Sequence, residues 1–431
     1  MRYKKYPKYK DSGVEWLGDV PEGWIKTYLK YISNVNMGQS PSSTTYNNEG
    51  FGIEFLQGNA DFGNIYPTAR TFTTDAKKIS KIEDILFTVR APVGAMNISN
   101  KRYAIGRGLC AISSTKHSKK SFLWWLMPLI KMELDTVATG STYEAVSVEQ
   151  VNNSSVSLPP LKEQKAIANY LDNATNKIDT LIIKQKRLIE LLKEKRQALI
   201  SKAVTRGLDD SVEMKDSGVE WLGAVPKDWE LWKVSHAFSI VGSGTTPLTS
   251  NKSYYNGHIP WVTTGELREN NIISTKKMLT NKALAENSSL RQFPIGSIVI
   301  AMYGATIGRL GILGIKATTN QACCVMTNSV SIDNKYLYYW LMGYKEEIVK
   351  LGYGGGQPNI SQDTISNLKI SAPSIKEQKI IINYLDQKTT QIDILIGKST
   401  KAITLLQEKR TALISAVVTG KIDVRGEYEH T

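Results

Sequence analysis

Residues 11–24 read DSGVEWLGDVPEGW, and residues 216–229 read DSGVEWLGAVPKDW, an offset of 216 − 11 = 205. A tandem copy this close sets the units in which the chain can fold, before any motif is considered. Working outward, a second matched pair lies downstream of each box. LPPLKEQKAIANYLDNATNKIDTLI begins at Leu158, and SAPSIKEQKIIINYLDQKTTQIDIL begins at Ser371. There Lys162-Glu163-Gln164-Lys165 matches Lys376-Glu377-Gln378-Lys379, an offset of 376 − 162 = 214. Glu194-Lys195-Arg196-Gln197-Ala198-Leu199-Ile200 then matches Glu408-Lys409-Arg410-Thr411-Ala412-Leu413-Ile414. The order is box, variable stretch, helix, and then the same again.

Both downstream segments read as long helices. Between 162 and 205 apolar residues recur at helical spacing, with Pro159-Pro160 before the start and Gly207 just past the end. With Leu171 as position a, the a/d series is Leu171, Ala174, Ile178, Leu181, Gln185, Leu188, Leu192, Lys195 and Leu199. The copy gives Leu385, Lys388, Ile392, Leu395, Ser399, Ala402, Leu406, Lys409 and Leu413. Seams sustained this long predict a coiled coil, and two matched seams in one chain predict antiparallel pairing with each other. About 40 residues at about 1.5 Å each make a rod of roughly 60 Å with a globular half at each end. Gln185 and Ser399 hold matching polar positions that would help fix register. The alternative is that each helix packs only on its own globular half. The helix faces carry Lys184, Lys186, Arg187, Lys193, Lys195 and Arg196, then Lys398, Lys401, Lys409 and Arg410. Such runs are usually solvated faces, with attraction to phosphates as the alternative.

Composition narrows the function. The chain has 431 residues, 54 Lys+Arg against 40 Asp+Glu, and a formal net charge of +14. That balance favours a polyanionic partner, most often nucleic acid. Cys110, Cys323 and Cys324 and the four histidines have no zinc-site spacing, so no metal site is expected and a reducing cytoplasm fits. The basic start lacks the apolar run of a signal peptide, and no stretch is long and apolar enough to span a bilayer, so no membrane association is expected. Val418-Thr419-Gly420-Lys421 is followed by Ile422, so it is not a phosphate-binding loop. The Asn/Asp-Pro-Pro-aromatic tetrapeptide of amino-methyltransferases is absent, and no Ser/His/Asp or Cys/His set stands out. The sequence reads as a non-catalytic reader.

The variable parts, residues 25–157 and 230–370, keep only faint echoes of each other. Met37-Gly38-Gln39-Ser40-Pro41 echoes Ser243-Gly244-Thr245-Thr246-Pro247, and the run from Asp84 to Pro92 echoes that from Ser297 to Ala305. In order along the chain stand Trp16-Leu17-Gly18 with Pro21 and Trp24, their copy Trp221-Leu222-Gly223 with Pro226 and Trp229, and Gly244-Thr245-Thr246-Pro247. Then come Ile259-Pro260-Trp261-Val262-Thr263-Thr264-Gly265-Glu266-Leu267, Ala305-Thr306-Ile307-Gly308-Arg309-Leu310-Gly311, Asn359-Ile360-Ser361 and the two Lys-Glu-Gln-Lys helix starts. Together these resemble the specificity (S) subunit of type I restriction–modification systems, over essentially the whole chain. The first variable part departs from the pattern, with Phe55-Leu56-Gln57-Gly58-Asn59 where the second has Trp261 to Gly265, and Ala95 where it has Arg309.

The resemblance implies an α+β fold: two mixed α/β target-recognition domains separated by two long antiparallel coiled-coil helices, a pseudo-twofold tandem repeat. The first recognition domain would occupy 1–157 with its box at 11–24, and the first spacer helix 158–207. The second domain would occupy 208–370 with its box at 216–229, the second spacer helix 371–420, and a tail 421–431. Partners would be double-stranded DNA, two modification (methyltransferase) subunits and restriction (translocase and nuclease) subunits. S-adenosylmethionine, ATP and Mg2+ would sit on those partners, and this chain would hold no cofactor. Each domain would read one half of a bipartite, asymmetric target, with the rod fixing the gap.

Arginine pairs bidentately with guanine, and asparagine or glutamine with adenine. On that basis the DNA-contact candidates are Gln39, Ser40, Arg70, Arg90 and Arg107 in the first part. In the second they are Thr245, Thr246, Tyr303, Arg309, Asn320 and Gln357, with Tyr303 aligned to Arg90 and Asn320 to Arg107. Each residue type is equally at home as a solvated or structural polar group. Trp16, Trp24, Trp221 and Trp229 are repeated identically, so they read as packing anchors near the helix junction. Trp124-Trp125 and Tyr338-Tyr339-Trp340 read as core. The competing function is a coiled-coil scaffold with two protein-binding heads and no nucleic acid.

Overall fold

The computed structural model describes residues 3–137, 145–352 and 359–426. Two compact units emerge, Met1–Lys184 with Ala402–Thr431, and Gln185–Lys401. The two long helices, α1 (Leu161–Arg206) and α2 (Ile375–Val418), each contribute one part to either unit.

Each repeated box folds as a hairpin. Tyr9–Asp11 pairs antiparallel with Asp19–Pro21 in the first unit, and Met214–Asp216 with Ala224–Pro226 in the second. The Asp-Ser-Gly start recurs because the connection needs it. Asp11 Oδ1 accepts from Gly13 N at 2.8 Å and Asp216 Oδ1 from Gly218 N at 3.0 Å, with both glycines at positive φ (64° and 66°).

Behind the box stands the main sheet. In the first unit its order is Ser33–Met37, Leu109–Ser114, Ile85–Thr88, Met96–Ile98, antiparallel throughout. In the second it is Phe238–Ser243, Cys323–Ser329, Ile298–Ala301, Leu310–Leu313, Asn270–Ile272, the last pair parallel. Ile85–Thr88 and Ile298–Ala301 are buried at every residue, which is why they read as continuous apolar runs without alternation. A smaller sheet adjoins each: Ile53–Leu56 receives Ala104–Ile105 in parallel, and Tyr255–Val262 receives Thr318–Thr319 in parallel.

The core of each unit joins sheet, head helix and long helix. In the first, Phe87, Phe122, Ile167, Leu171 and Val417 share one cluster; in the second, Ile300, Tyr336, Trp340, Ile200 and Leu385 do. Trp125 lies in the helix Lys120–Val137, and Tyr338, Tyr339 and Trp340 in the helix Asn334–Gly343, all buried as read from sequence; Trp124 is half-buried.

Within the first unit the start of α1 lies beside the end of α2. Arg410 Nε meets Asp179 Oδ1 at 2.9 Å, and Gly420 lies against Trp24, whose Nε1 donates to Glu163 Oε1 at 3.1 Å. The segments are therefore antiparallel. In the second unit Arg196 Nε meets Asp393 Oδ1 at 3.2 Å, while Ile200, Ala203 and Val204 share a core with Ile381, Ile382 and Leu385. Asp179 and Asp393 are repeat equivalents, as are Arg196 and Arg410, so one ion pair is made twice with the helices exchanging roles.

The seam differs from the a/d series in one of its two rows. The a row faces inward: Leu171, Ile178, Leu192, Leu385, Ile392 and Leu413 are buried, and Leu406 is half-buried. The d row is wrong, since Leu181, Leu188 and Leu395 are exposed. The second buried row lies one residue later, at Thr175, Ile182, Ile189 and Arg196, and at Thr389, Ile396, Ile403 and Arg410, all buried or half-buried. Both phases satisfy a 3.5-residue period, and leucines at 181, 188 and 395 favoured the wrong one. Lys195 and Lys409 of the d row are exposed and Lys388 is half-buried, while no lysine falls in the second buried row. Of the two polar positions of the a row, Ser399 is buried and Gln185 half-buried.

The repeated Glu-Gln pair fastens each head to its helix. Gln164 is fully buried, its Nε2 donating to Pro159 O (2.9 Å) and His117 O (3.1 Å) while Oε1 accepts from Lys119 N (2.8 Å). Gln378 repeats the set with Pro373 O (2.9 Å), Ser331 O (2.9 Å) and Asp333 N (2.8 Å). Glu163 accepts from Trp24 and Tyr6, and Glu377 Oε1 accepts from Trp229 Nε1 at 3.3 Å. Eight residues after each glutamine, Asp172 Oδ1 accepts from Trp125 Nε1 (2.9 Å) and Asp386 Oδ1 from Tyr339 OH (2.7 Å). Trp24 and Trp229 are thus anchors at the helix starts. Trp16 and Trp221 pack on the two cores, Trp221 edge-on to Trp340.

Candidate nucleic-acid interface

The main-sheet pairing places several turns at one end of each unit. In the first, Cys110 lies opposite Met37 and Leu109 opposite Thr88, so the strands ending at Met37 and Thr88 and the strand starting at Leu109 share an end. Gly106 N donates to Leu56 O at 2.8 Å, bringing the small sheet to the same end. Gln39, Ser40, Arg90 and Arg107 all emerge there and are exposed. Arg70, also exposed, precedes Thr71, which lies opposite Phe55 in the small sheet, so it joins them.

In the second unit Ser243 lies opposite Cys324 and Ala301 opposite Cys323. Thr245, Thr246, Tyr303, Arg309 and Asn320 follow or precede these strand ends, so they too gather at one end. Arg309 is exposed; Thr245, Thr246, Tyr303 and Asn320 are half-buried. Burial, with a smaller push from Cys323, raises the Tyr303 phenol above its ordinary pKa, so it stays a neutral donor. Gln357 lies outside the described residues.

Arg70, Arg90, Arg107 and Arg309 make no ion pair among the described residues, whereas Arg187, Arg196, Arg410 and Arg425 each have a carboxylate. The unpaired guanidinium groups therefore stand at the turn ends, where an external phosphate or base edge could reach them. On the helix faces the reading as solvated surface fits Lys184, Lys186, Lys193, Lys195, Lys398, Lys401 and Lys409, all exposed.

Backbone hydrogen bonds also test the alignment between the units. Thr88 N→Ala95 O matches Ala301 N→Arg309 O, and Val146 N→Val89 O matches Ile360 N→Met302 O, so Arg90 and Tyr303 are equivalent, as are Ala95 and Arg309. The pairing of Asn320 with Arg107 does not hold. Asn320 N donates to Val262 O (3.0 Å) as Gly106 N does to Leu56 O, and Cys323 N donates to Asn320 O (3.3 Å) as Leu109 N does to Gly106 O (3.0 Å). Asn320 is the counterpart of Gly106, and Gln321, which sequence reading passed over, is the counterpart of Arg107. The shared 214-residue offset of the helices, carried back to residue 107, gives 321 and was the available signal.

Loop approach at this end depends on glycine. A Cβ on Gly38 would lie 2.1 Å from Gly106 O, and one on Gly244 would lie 1.8 Å from Thr319 O. Among the described residues no group of three or more His, Cys, Asp and Glu side chains gathers as a metal site, and no helix is long and apolar enough to cross a membrane.

The profile of the family described as type I restriction modification DNA specificity domain matches the chain twice, over residues 21–192 and 226–404. The chain belongs to this family. Its two specificity domains stand in tandem, matching the repeat read from sequence. A putative type I restriction enzyme specificity subunit of Methanocaldococcus jannaschii is 40% identical over 188 residues, which cover 42% of this chain and 43% of that relative. The chain thus spans under half the length of that relative. A type I restriction enzyme specificity subunit of Escherichia coli is 18% identical across 97% of this chain and 90% of its own length. A solved chain from a structure of complex assembly and conformational transition of the type I R-M system has a TM-score of 0.74. It is 16% identical and covers 93% of this chain and 98% of its own, a likeness of fold.

Proposed function

We propose that this specificity-domain protein is the non-catalytic DNA sequence-recognition subunit of a type I restriction–modification complex. Each turn cluster reads one half of a bipartite, asymmetric duplex target through base edges in the major groove, while phosphate contacts set its position. One observation carries the reading: the Trp, Glu, Gln and Asp that fasten each head recur at matching positions of the two units, while the turns they present differ. Ser40, Arg90 and Arg107 stand in one unit where Thr246, Tyr303 and Gln321 stand in the other.

The helices set half-site spacing and dock two adenine-methyltransferase (modification) subunits. Docking is supported by apolar side chains left exposed on them: Leu181, Ile183 and Leu405 in the first unit, Leu188, Leu191, Ile394 and Leu395 in the second. S-adenosylmethionine belongs to the modification subunits, and ATP and Mg2+ to restriction subunits, all in the cytoplasm. The methylated adenine has to leave the stack to be reached.

The test is duplex binding by the chain assembled with its modification subunits, joined to a map of methylated adenines in cells with and without the gene. Binding that weakens steeply with salt yet keeps preferring one bipartite duplex is the expected result. If no duplex is preferred and the methylation map is unchanged, the scaffold with two protein-binding heads stands instead.

A further inference from the structure

The turn that enters the central strand presents one long polar side chain in each unit. In the first it is Gly106-Arg107-Gly108, where only Arg107 has a side chain. A Cβ on Gly108 would lie 2.4 Å from Gln57 O, and one on Gly106 would lie 3.0 Å from the Phe55 ring, so the flanks are held bare. In the second unit Asn320 turns inward, its Oδ1 accepting from Ala322 N at 3.2 Å, and Ala322 is buried. Gln321 is left exposed at the position of Arg107.

The same neighbouring loop steadies both residues, in different ways. Ser40 Oγ accepts from Arg107 N at 3.2 Å, which fastens the backbone and leaves the guanidinium free. The Thr246 hydroxyl donates instead to Gln321 Oε1. That contact holds the amide by its oxygen, leaving Nε2 to donate and the second lone pair of Oε1 to accept. One donor beside one acceptor is the complement of the adenine N7 and N6 edge. The paired donors of a guanidinium are the complement of guanine O6 and N7.

We infer that Gln321 is a specificity-determining residue, and that the position shared by Arg107 and Gln321 makes the two units read different bases. Arg107 selects guanine in one half-site, and Gln321, oriented by Thr246, selects adenine in the other. This rests on the proposed function.

The chain assembled with its modification subunits is used to select from a library of randomised duplexes, as wild type and as Gln321→Arg, Gln321→Ala, Arg107→Gln and Thr246→Val. Gln321→Arg should change one position of one half-site from adenine to guanine, by about tenfold to a hundredfold, and leave the other half-site untouched. Arg107→Gln should do the reverse in the other half. Gln321→Ala should flatten preference at that position, and Thr246→Val should weaken it without changing the preferred base. Preference unchanged in both Gln321 variants overturns the inference. So does a uniform loss of affinity on every duplex at unchanged melting temperature, which marks a phosphate contact. A wild-type complex that selects no bipartite duplex removes the proposed function itself, an outcome distinct from a defined target indifferent to Gln321.

Discussion

Gln164 offers the most direct test of how the heads are held. Gln164→Met keeps an unbranched side chain of similar length and removes three hydrogen bonds, to Pro159 O, His117 O and Lys119 N. A buried polar group left unpaired costs about 1–3 kcal/mol. His117 and Lys119 are exposed residues whose backbone groups can turn to water, so each loses only about 0.5 kcal/mol, the low end of a net hydrogen-bond contribution, giving about 2–4 kcal/mol in all. For a unit of about 200 residues each kcal/mol lowers the melting temperature by about 2–4 °C, so a fall of roughly 4–16 °C is expected. Gln378→Met should do the same to the second unit, because its three partners are equivalent. The control is Gln407→Met on an exposed part of α2, which should stay within about 0.5 kcal/mol of the parent. Calorimetry on the full-length chain reads all three. If Gln164→Met and Gln378→Met melt with Gln407→Met, the glutamines are not what fastens the heads.

The exchanged ion pair predicts that Asp179→Arg destabilises by no more than about 1 kcal/mol, since both side chains are partly exposed. Adding Arg410→Asp should restore only part of that in a double-mutant cycle, because Arg410 also lies over Trp125 at 5.9 Å. Burial pushes the Cys110 and Cys324 thiols up to about 12 and Cys323 higher, so the native chain should resist alkylation that all three accept in denaturant, read by mass spectrometry. Unfolded thiols ionise near about 8.5 while the folded ones stay protonated, so stability should decline as pH rises past that value. Under the proposed function, one heptad inserted at matching points of α1 and α2 lengthens each by about 10.5 Å. The unread gap should grow by about three base pairs with both half-sites unchanged, and methylation mapping that finds altered half-sites would count against a ruler.

Repetition made the scaffold legible. Trp24 and Trp229, Glu163 and Glu377, Gln164 and Gln378 could be matched by eye, and all of them serve the junction between head and helix. The phase of the seam was harder, because Leu181 and Ile182 both satisfy a heptad and only tertiary packing decides which is covered. Turn residues were hardest, since they pack on little and so leave no periodic trace. Arg107 was legible by residue type alone, as an arginine able to pair with guanine. Gln321 was passed over because Asn320 beside it was aligned with Arg107, whereas the backbone bonds make Asn320 the counterpart of Gly106 and its side chain closes its own turn.

That difference between scaffold and turns bears on how such a chain can change what it reads. A head held by Gln164, Glu163 and Asp172 keeps its orientation on α1 whatever occupies position 107, because none of those bonds reaches the turn end. The two units already illustrate this. Between them the arginine moves from one stem of the same hairpin to the other, Arg90 with Ala95 in one and Tyr303 with Arg309 in the other, while the bond closing the stem stays the same, at 3.0 Å and 2.8 Å. Substitution at the turns is therefore decoupled from the fastening of the head, and the divergence between residues 25–157 and 230–370 is what that decoupling permits.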